Sequence, residues 1–71
     1  MPRPGTLIPK EPVMRIMQKA GAKRISLEAA EELVNLLTAQ ALEIGARAAQ
    51  IAVHVGRKTV QAGDVKLAAK V

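Results

Sequence analysis

One segment constrains the fold of this 71-residue chain more than any other, the stretch from Ser26 to Val55, which contains no proline. Apolar residues recur along it at spacings of 4, 4, 3, 4, 3 and 4 residues, at Leu33, Leu37, Ala41, Ile44, Ala48, Ile51 and Val55. This period predicts a single amphipathic helix, and Ser26 is a suitable N-cap residue for it. At 1.5 Å per residue such a helix spans roughly 40 Å.

The remainder of the chain is too short to cover that helix. Two short helices are predicted, one from about residue 10 to the stop at Gly21 and one from about residue 61 to residue 70, after the stop at Gly56. Leu36, Leu42 and Val53 also widen the apolar arc of the long helix beyond one stripe. A chain of this length buries only about 60% of its unfolded surface as a monomer, so a second copy is the simplest cover.

The sequence therefore predicts one all-α domain over residues 8–71. Residues 1–7 contain Pro2, Pro4 and Gly5, which disfavour helix and sheet, and we expect them to form a flexible leader. Because the chain has no Phe, Tyr or Trp, its core must consist of aliphatic side chains and alanine. Closely packed helices suit such a core.

Charge is divided along the chain, whose formal net charge is +5. Residues 1–25 carry six cations against Glu11, residues 26–54 carry four glutamates against Arg47, and residues 55–71 carry four cations against Asp64. A basic surface built from two separated segments suits a polyanion such as nucleic acid, since neutralised phosphates release counterions. A solvated, solubilising surface is the alternative that charge alone leaves open.

Several classes of function lack the residues that they need. There is no cysteine, which excludes disulfides and thiolate metal sites. No apolar run reaches the roughly 18 residues of a membrane span, and no secretory signal is present, so we expect a soluble, cytoplasmic protein with no membrane partner. His54 is the single histidine and has no clustered carboxylates beside it in sequence, so we expect no metal, no cofactor and no enzymatic activity.

The predicted order of short, long and short helices, joined by two basic connections, resembles the archaeal histones of the histone-fold class. Five sequence pieces carry the resemblance, in this order: Arg15-Ile16, Ala20-Gly21-Ala22, Arg24-Ile25-Ser26, the run from His54 to Val60, and Ala62 with Asp64. The resemblance implies a histone fold that forms a head-to-tail intertwined homodimer, or a heterodimer with a paralogue. It further implies chains of dimers that wrap double-stranded DNA largely without sequence specificity, in association with the chromosome.

The resemblance also implies roles for particular residues. Arg15 matches the arginine that enters the minor groove, and Thr59 matches the threonine that holds such an arginine. Lys23, Arg24 and Lys58 lie on loops that contact phosphates, and Lys10 and Lys19 are further candidates for which a solubilising role is the alternative. Arg57 and Asp64 match an intrachain salt bridge, and Gly21 matches a site of close approach between stacked turns. The residues matching a dimer-dimer contact are Ile51, His54, Asp64 and Leu67.

A second function remains open for the same fold. A histone-fold subunit of a heterodimeric transcription factor or assembly complex would use the fold for protein assembly, and its DNA contact would be minor. Gln18 and Gln61 stand where many histone relatives have lysine, which removes potential phosphate contacts. The combination of Arg15, Arg24, Lys58 and Thr59 favours the DNA-wrapping function.

Overall fold

The computed structural model describes residues 8–70 and contains three α-helices. They are α1 (Lys10–Lys19), α2 (Leu27–His54) and α3 (Ala62–Ala69). The chain divides into two compact units, residues 1–39 and 40–71, so that α1 belongs to the first unit and α3 to the second. Each predicted helix is confirmed, with its boundaries within a residue or two of the prediction. The leader predicted at residues 1–7 lies outside the described residues.

Two glycines end the first two helices in the same way. Gly21 has a φ of 123° and Gly56 a φ of 81°, values that side chains with a Cβ adopt only at a cost. After α1, the Gly21 N–H donates to Gln18 O at 3.0 Å and the Ala22 N–H to Met17 O at 3.0 Å. The corresponding bonds after α2 run from Gly56 to Val53 and from Arg57 to Ala52, at 2.9 and 2.8 Å. Both ends are therefore Schellman motifs, which satisfy the last carbonyls of each helix.

Each helix begins at a residue suited to that position. Pro9 precedes α1 in an extended conformation, and Pro12 lies in the first turn, where its missing N–H costs no hydrogen bond. Ser26 caps α2, since its Oγ accepts a hydrogen bond from the Ala29 N–H at 3.0 Å, as predicted. At α3 the Gln61 N–H donates to Asp64 Oδ2 at 2.9 Å, the N3-to-N-cap half of a capping box.

The buried core of each unit is small. Among the described residues it consists of Val13, Ala30 and Val34 in the first unit and of Ala48, Ala52 and Ala68 in the second, with Asp64 as a buried charged residue. Large aliphatic side chains stay exposed, including Ile16 at 63% and Leu67 at 55%. Ile16 was predicted on the apolar face of α1 beside Val13, yet the single chain buries only Val13. No helix within residues 8–70 is both long enough and apolar enough to cross a membrane.

Candidate nucleic-acid interface

The connection between α2 and α3 is held in shape by one ion pair. Arg57 Nη1 donates to Asp64 Oδ2 at 2.9 Å and Nη2 donates to Oδ1 at 3.0 Å. Both nitrogens of the fork are used, and this bidentate geometry fixes orientation as well as distance. Arg57 Nη1 also donates to the carbonyl oxygen of Thr59 at 3.2 Å. The predicted intrachain salt bridge is therefore present, and it ties the start of the turn to the first turn of α3.

Asp64 is the centre of this arrangement. Only 5% of the residue is exposed, and its carboxylate accepts hydrogen bonds from Arg57 and from the Gln61 N–H. The hydrogen bonds from Arg57, and then the one from Gln61, hold the pKa of Asp64 below its ordinary value, although burial acts in the opposite direction. The hydrogen bond to Asp64 in turn raises the pKa of Arg57. The two groups stay ionised together across the neutral range.

The clamp leaves the middle of the turn open. Lys58, Thr59 and Val60 are all exposed, because Arg57 engages only the carbonyl of Thr59 and not its hydroxyl. An exposed cation and an exposed hydroxyl thus stand next to each other on a loop whose backbone is fixed at both ends. Such a pair can contact phosphate oxygens without first paying the entropy of ordering the loop.

The first unit carries the other predicted cations. Lys23 and Arg24 are exposed on the connection between α1 and α2, and Lys19 is exposed in the last turn of α1. Arg15 is also exposed, and its nearest carboxylate, Glu11, lies 3.9 Å away, a loose surface pair that costs little to break. These side chains are available to a polyanion.

Lys10 differs from the other candidates. Its ammonium group lies 3.3 Å from a carboxylate oxygen of Glu31, so it links α1 to the first turns of α2. Sequence spacing could not reveal this pair because the two residues are 21 positions apart. Its position favours a structural role for Lys10 over the DNA contact that was predicted.

Three of the four residues predicted for a dimer-dimer contact line one groove of the second unit. Ile51, His54 and Leu67 bound an apolar groove of about 560 Å³ between the end of α2 and α3. The fourth, Asp64, does not line it and is instead held by Arg57. The structure therefore brings Ile51, His54 and Leu67 together on one accessible surface.

Arg47 positions α3 and was missed as such by the sequence. Its Nη1 donates to the carbonyl oxygen of Ala68 at 2.8 Å, where a cation also meets the negative end of the helix dipole. The predicted i,i+4 pair with Glu43 is present at 3.7 Å. Arg47 thus fixes the C-terminal end of α3 and forms part of the wall of the groove. The bond joins residues 21 positions apart, and no local motif signals it.

The described part of the chain offers no alternative site of a chemical kind. Within residues 8–70, no group of three or more His, Cys, Asp or Glu side chains is placed to hold a metal ion.

Comparison with known proteins identifies the class. The family described as histone-like transcription factor (CBF/NF-Y) and archaeal histone matches residues 6–69. The archaeal histone HAN1 of Thermococcus zilligii is 48% identical over 63 residues, which cover 89% of this chain and 94% of that protein. The protein named "Probable archaeal histone 3" of Methanocaldococcus jannaschii is 43% identical over 61 residues, which cover 86% and 91%.

The three helices and the clamped basic turn are those of a histone-fold protein, a DNA-binding class associated with chromatin. The chain belongs to the family of histone-like transcription factors and archaeal histones. The predicted resemblance and the predicted fold are confirmed.

Proposed function

We propose that this protein is a non-enzymatic, architectural DNA-binding protein that dimerises and wraps or compacts double-stranded DNA largely without sequence specificity. One observation carries the proposal. The bidentate Arg57–Asp64 pair presents Lys58 and Thr59 on a fixed, exposed turn, in a chain that belongs to a histone family. A rigid basic loop of this kind suits the regular phosphate backbone of a duplex.

Dimerisation follows from how little of the chain is covered by itself. Each unit buries only a few small side chains, whereas Ile16, Leu36 and Val55 remain more than half exposed. Leaving such side chains in water forgoes about 1.5–3 kcal/mol for each one that could be fully buried. A second copy in the head-to-tail arrangement would bury them, and in that dimer the loop with Lys23 and Arg24 would pair with the partner's loop that carries Lys58.

The paired loops and Arg15 would then meet the DNA backbone. Histone octamers bind DNA through arginines in the inward-facing minor groove and through main-chain contacts to phosphates, without base-specific contacts. Arg15 is free enough to take the first role, since its only near carboxylate is a loose surface partner. Lys19 is a further phosphate contact, and Gly21 permits close approach of neighbouring turns. The protein would accordingly act on the chromosome.

Dimers would join along DNA through the groove lined by Ile51, His54 and Leu67. The groove is apolar and open, so a matching surface of a neighbouring dimer would bury aliphatic area there. Asp64 would contribute indirectly, by holding the first turn of α3 in place.

A second function is kept because the family also includes histone-like transcription factors. In that case the chain would be one component of a heteromeric complex, and the same exposed apolar surface would bind a different histone-fold chain. Both similar curated proteins carry the name of archaeal histones, which favours DNA wrapping.

Nuclease digestion of protein-DNA complexes tests the proposal. Purified protein is reconstituted on a long duplex, and the lengths of protected DNA are measured as the protein ratio rises. We expect a ladder with a regular increment, since each added dimer protects a further stretch of duplex. Lys58→Ala should weaken binding and the ladder, whereas Lys66→Ala is the matched control, an exposed lysine of the same unit outside the basic turn.

Two results would overturn the proposal. Uniform digestion at saturating protein would show that DNA is bound without wrapping, or not bound. Equal losses for Lys58→Ala and Lys66→Ala would show that only net charge matters and that the clamped turn has no special role. A stable complex with a different chain, together with no DNA binding at moderate salt, would establish the second function instead.

A further inference from the structure

The two most exposed large hydrophobic side chains of the described residues lie on one face of α2. Leu42 is 71% exposed and Val53 is 72% exposed. They are 11 residues apart, which is close to three turns of an α-helix. Ala46 and Ala49 lie between them on the same face, and both are exposed. We call these four residues, Leu42, Ala46, Ala49 and Val53, the outer seam.

The outer seam is separate from the face of α2 that packs in the second unit. Ala48 and Ala52 are buried, and Ile51 shares its groove with Leu67 of α3. At about 100° per residue, Ala48 lies roughly 120° around the helix axis from Leu42, and Ile51 lies roughly 180° from it. This half of α2 therefore carries apolar residues on opposite sides, and its own chain covers only one of them.

The spacing of the outer seam indicates that another helix covers it. Its residues follow one another at intervals of 4, 3 and 4, the pattern of the a and d positions of a coiled coil. The charged and titratable groups nearby, Glu43, Arg47 and His54, lie about 100–140° around the axis from Leu42. Glu43 and Arg47 also pair with each other at 3.7 Å, so no net charge opposes the approach of a second apolar seam.

The order of side chains is symmetric, which identifies the occupant. Large, small, small and large residues are arranged about a midpoint between residues 47 and 48. An antiparallel copy related by a two-fold axis would place Leu42 opposite the partner's Val53 and Ala46 opposite the partner's Ala49. A two-fold interface requires this self-complementarity, and the central alanines permit close approach of the two axes.

A groove on the surface matches the knob that this pairing would supply. Ala49, Gln50, Val53 and His54 line an open groove of about 450 Å³. A knob in a coiled coil packs among four residues of the facing helix. In the antiparallel arrangement the partner's Leu42 would fall at this groove, next to Val53.

We propose that the outer seam is a second self-association surface, on which α2 of one dimer packs antiparallel against α2 of another. The proposal rests on the proposed dimer only in that the first interface uses the opposite side of α2. The seam is about 16 Å long, which makes the interface smaller than a stable free complex needs. It therefore acts where dimers are concentrated, as on one DNA molecule, and brings separate bound dimers together.

Cysteine cross-linking tests the geometry, because the natural chain has no cysteine. Leu42→Cys and Val53→Cys proteins, one of them carrying a mass tag, are mixed and oxidised both on saturated DNA and as concentrated free protein. We expect disulfides between the two variants to exceed those within either variant by at least about fivefold. Glu43→Cys mixed with Val53→Cys is the control, since residue 43 lies about 100° off the seam and should give no such preference.

A charge exchange gives an independent measurement. Leu42→Glu alone and Val53→Lys alone should each reduce the sedimentation coefficient of saturated protein-DNA complexes. The double variant should restore it, because the antiparallel pairing sets the two new charges opposite each other. All three variants should keep the concentration-dependent melting of the first dimer and the DNA affinity at low occupancy within about twofold.

The outcomes separate this proposal from the proposed function. Loss of DNA binding or of the ladder in the unmodified protein refutes the proposed function, while cross-linking in free protein still reports on the seam. An equal yield of all disulfides, or a double variant no better than the single ones, refutes the antiparallel seam. If the seam variants abolish the first dimer, the seam belongs to that dimer and the proposal is wrong.

Discussion

Replacing glycine by alanine should have opposite effects at two positions of this chain. Gly56 has a φ of 81° and ends α2, whereas Gly45 lies inside α2, and an added Cβ meets nothing within 4 Å at either position. Since neither substitution creates a steric clash within the chain, only backbone conformation decides the sign. The same chemical change therefore tests the helix assignment and the left-handed turn separately.

The magnitudes follow from the two conformations. A left-handed residue with a Cβ costs roughly 1–2 kcal/mol, and alanine recovers about 0.4–1 kcal/mol by restricting the unfolded chain. Gly56→Ala should thus destabilise each chain by about 0.5–1.5 kcal/mol. Gly45→Ala should stabilise it by about 0.5–1 kcal/mol, because glycine is a poor residue in a helix interior.

Thermal unfolding by circular dichroism, at one fixed protein concentration, measures both effects. For a domain of this size 1 kcal/mol corresponds to roughly 4–8 °C in Tm. Gly56→Asn is the matched control, since asparagine tolerates the left-handed region better than alanine, and it should lose less stability than Gly56→Ala. If Gly56→Ala were neutral, or if Asn were worse than Ala there, the left-handed turn would not be the cause. Destabilisation by Gly45→Ala would show that a second chain contacts that position.

Four further predictions concern the proposed function. The Tm of the free protein should rise with protein concentration, as an obligate dimer requires, and a concentration-independent melt with a monomer mass would contradict this. Arg15→Ala and Lys58→Ala should weaken binding to all duplexes alike and lower the slope of log K against log salt by about 0.9 per lost phosphate contact, hence about 2 per dimer; a switch in sequence preference would instead indicate base readout. His54→Ala should shorten the ladder of protected DNA lengths without changing the concentration-dependent melt, and an unchanged ladder at matched DNA occupancy would remove His54 from the assembly surface. Because its pKa is lowered in the folded chain, Asp64 contributes stability that is present above the ordinary aspartate pKa of about 3.9 and is lost as the pH falls through the lower folded value; Asp64→Asn should therefore be less stable at pH 7 and lose less stability on acidification, and equal acid sensitivity of the two proteins, followed by chemical denaturation, would refute this role.

The residue sequence by itself determined the helices and their limits. The apolar period of α2, the N-cap at Ser26 and the stops at Gly21 and Gly56 all depend on residues within one or two helical turns of each other, and the structure confirms each of them. Local periodicity and capping are visible in sequence because the interacting groups are neighbours in the chain. The Arg57–Asp64 pair spans only seven residues, and the family resemblance was sufficient to predict it.

Only the tertiary structure decided which side chains meet across the helices. Lys10 with Glu31 and Arg47 with Ala68 are each separated by 21 residues, and no local pattern selects either pair among the other charged residues. Burial was decided at the same level. The single chain buries Val13 and leaves Ile16 exposed, although both lie on the predicted apolar face of α1, because the position of α2 determines which part of that face is covered. Sequence thus defines the apolar faces, and packing determines which of them remain for a second chain.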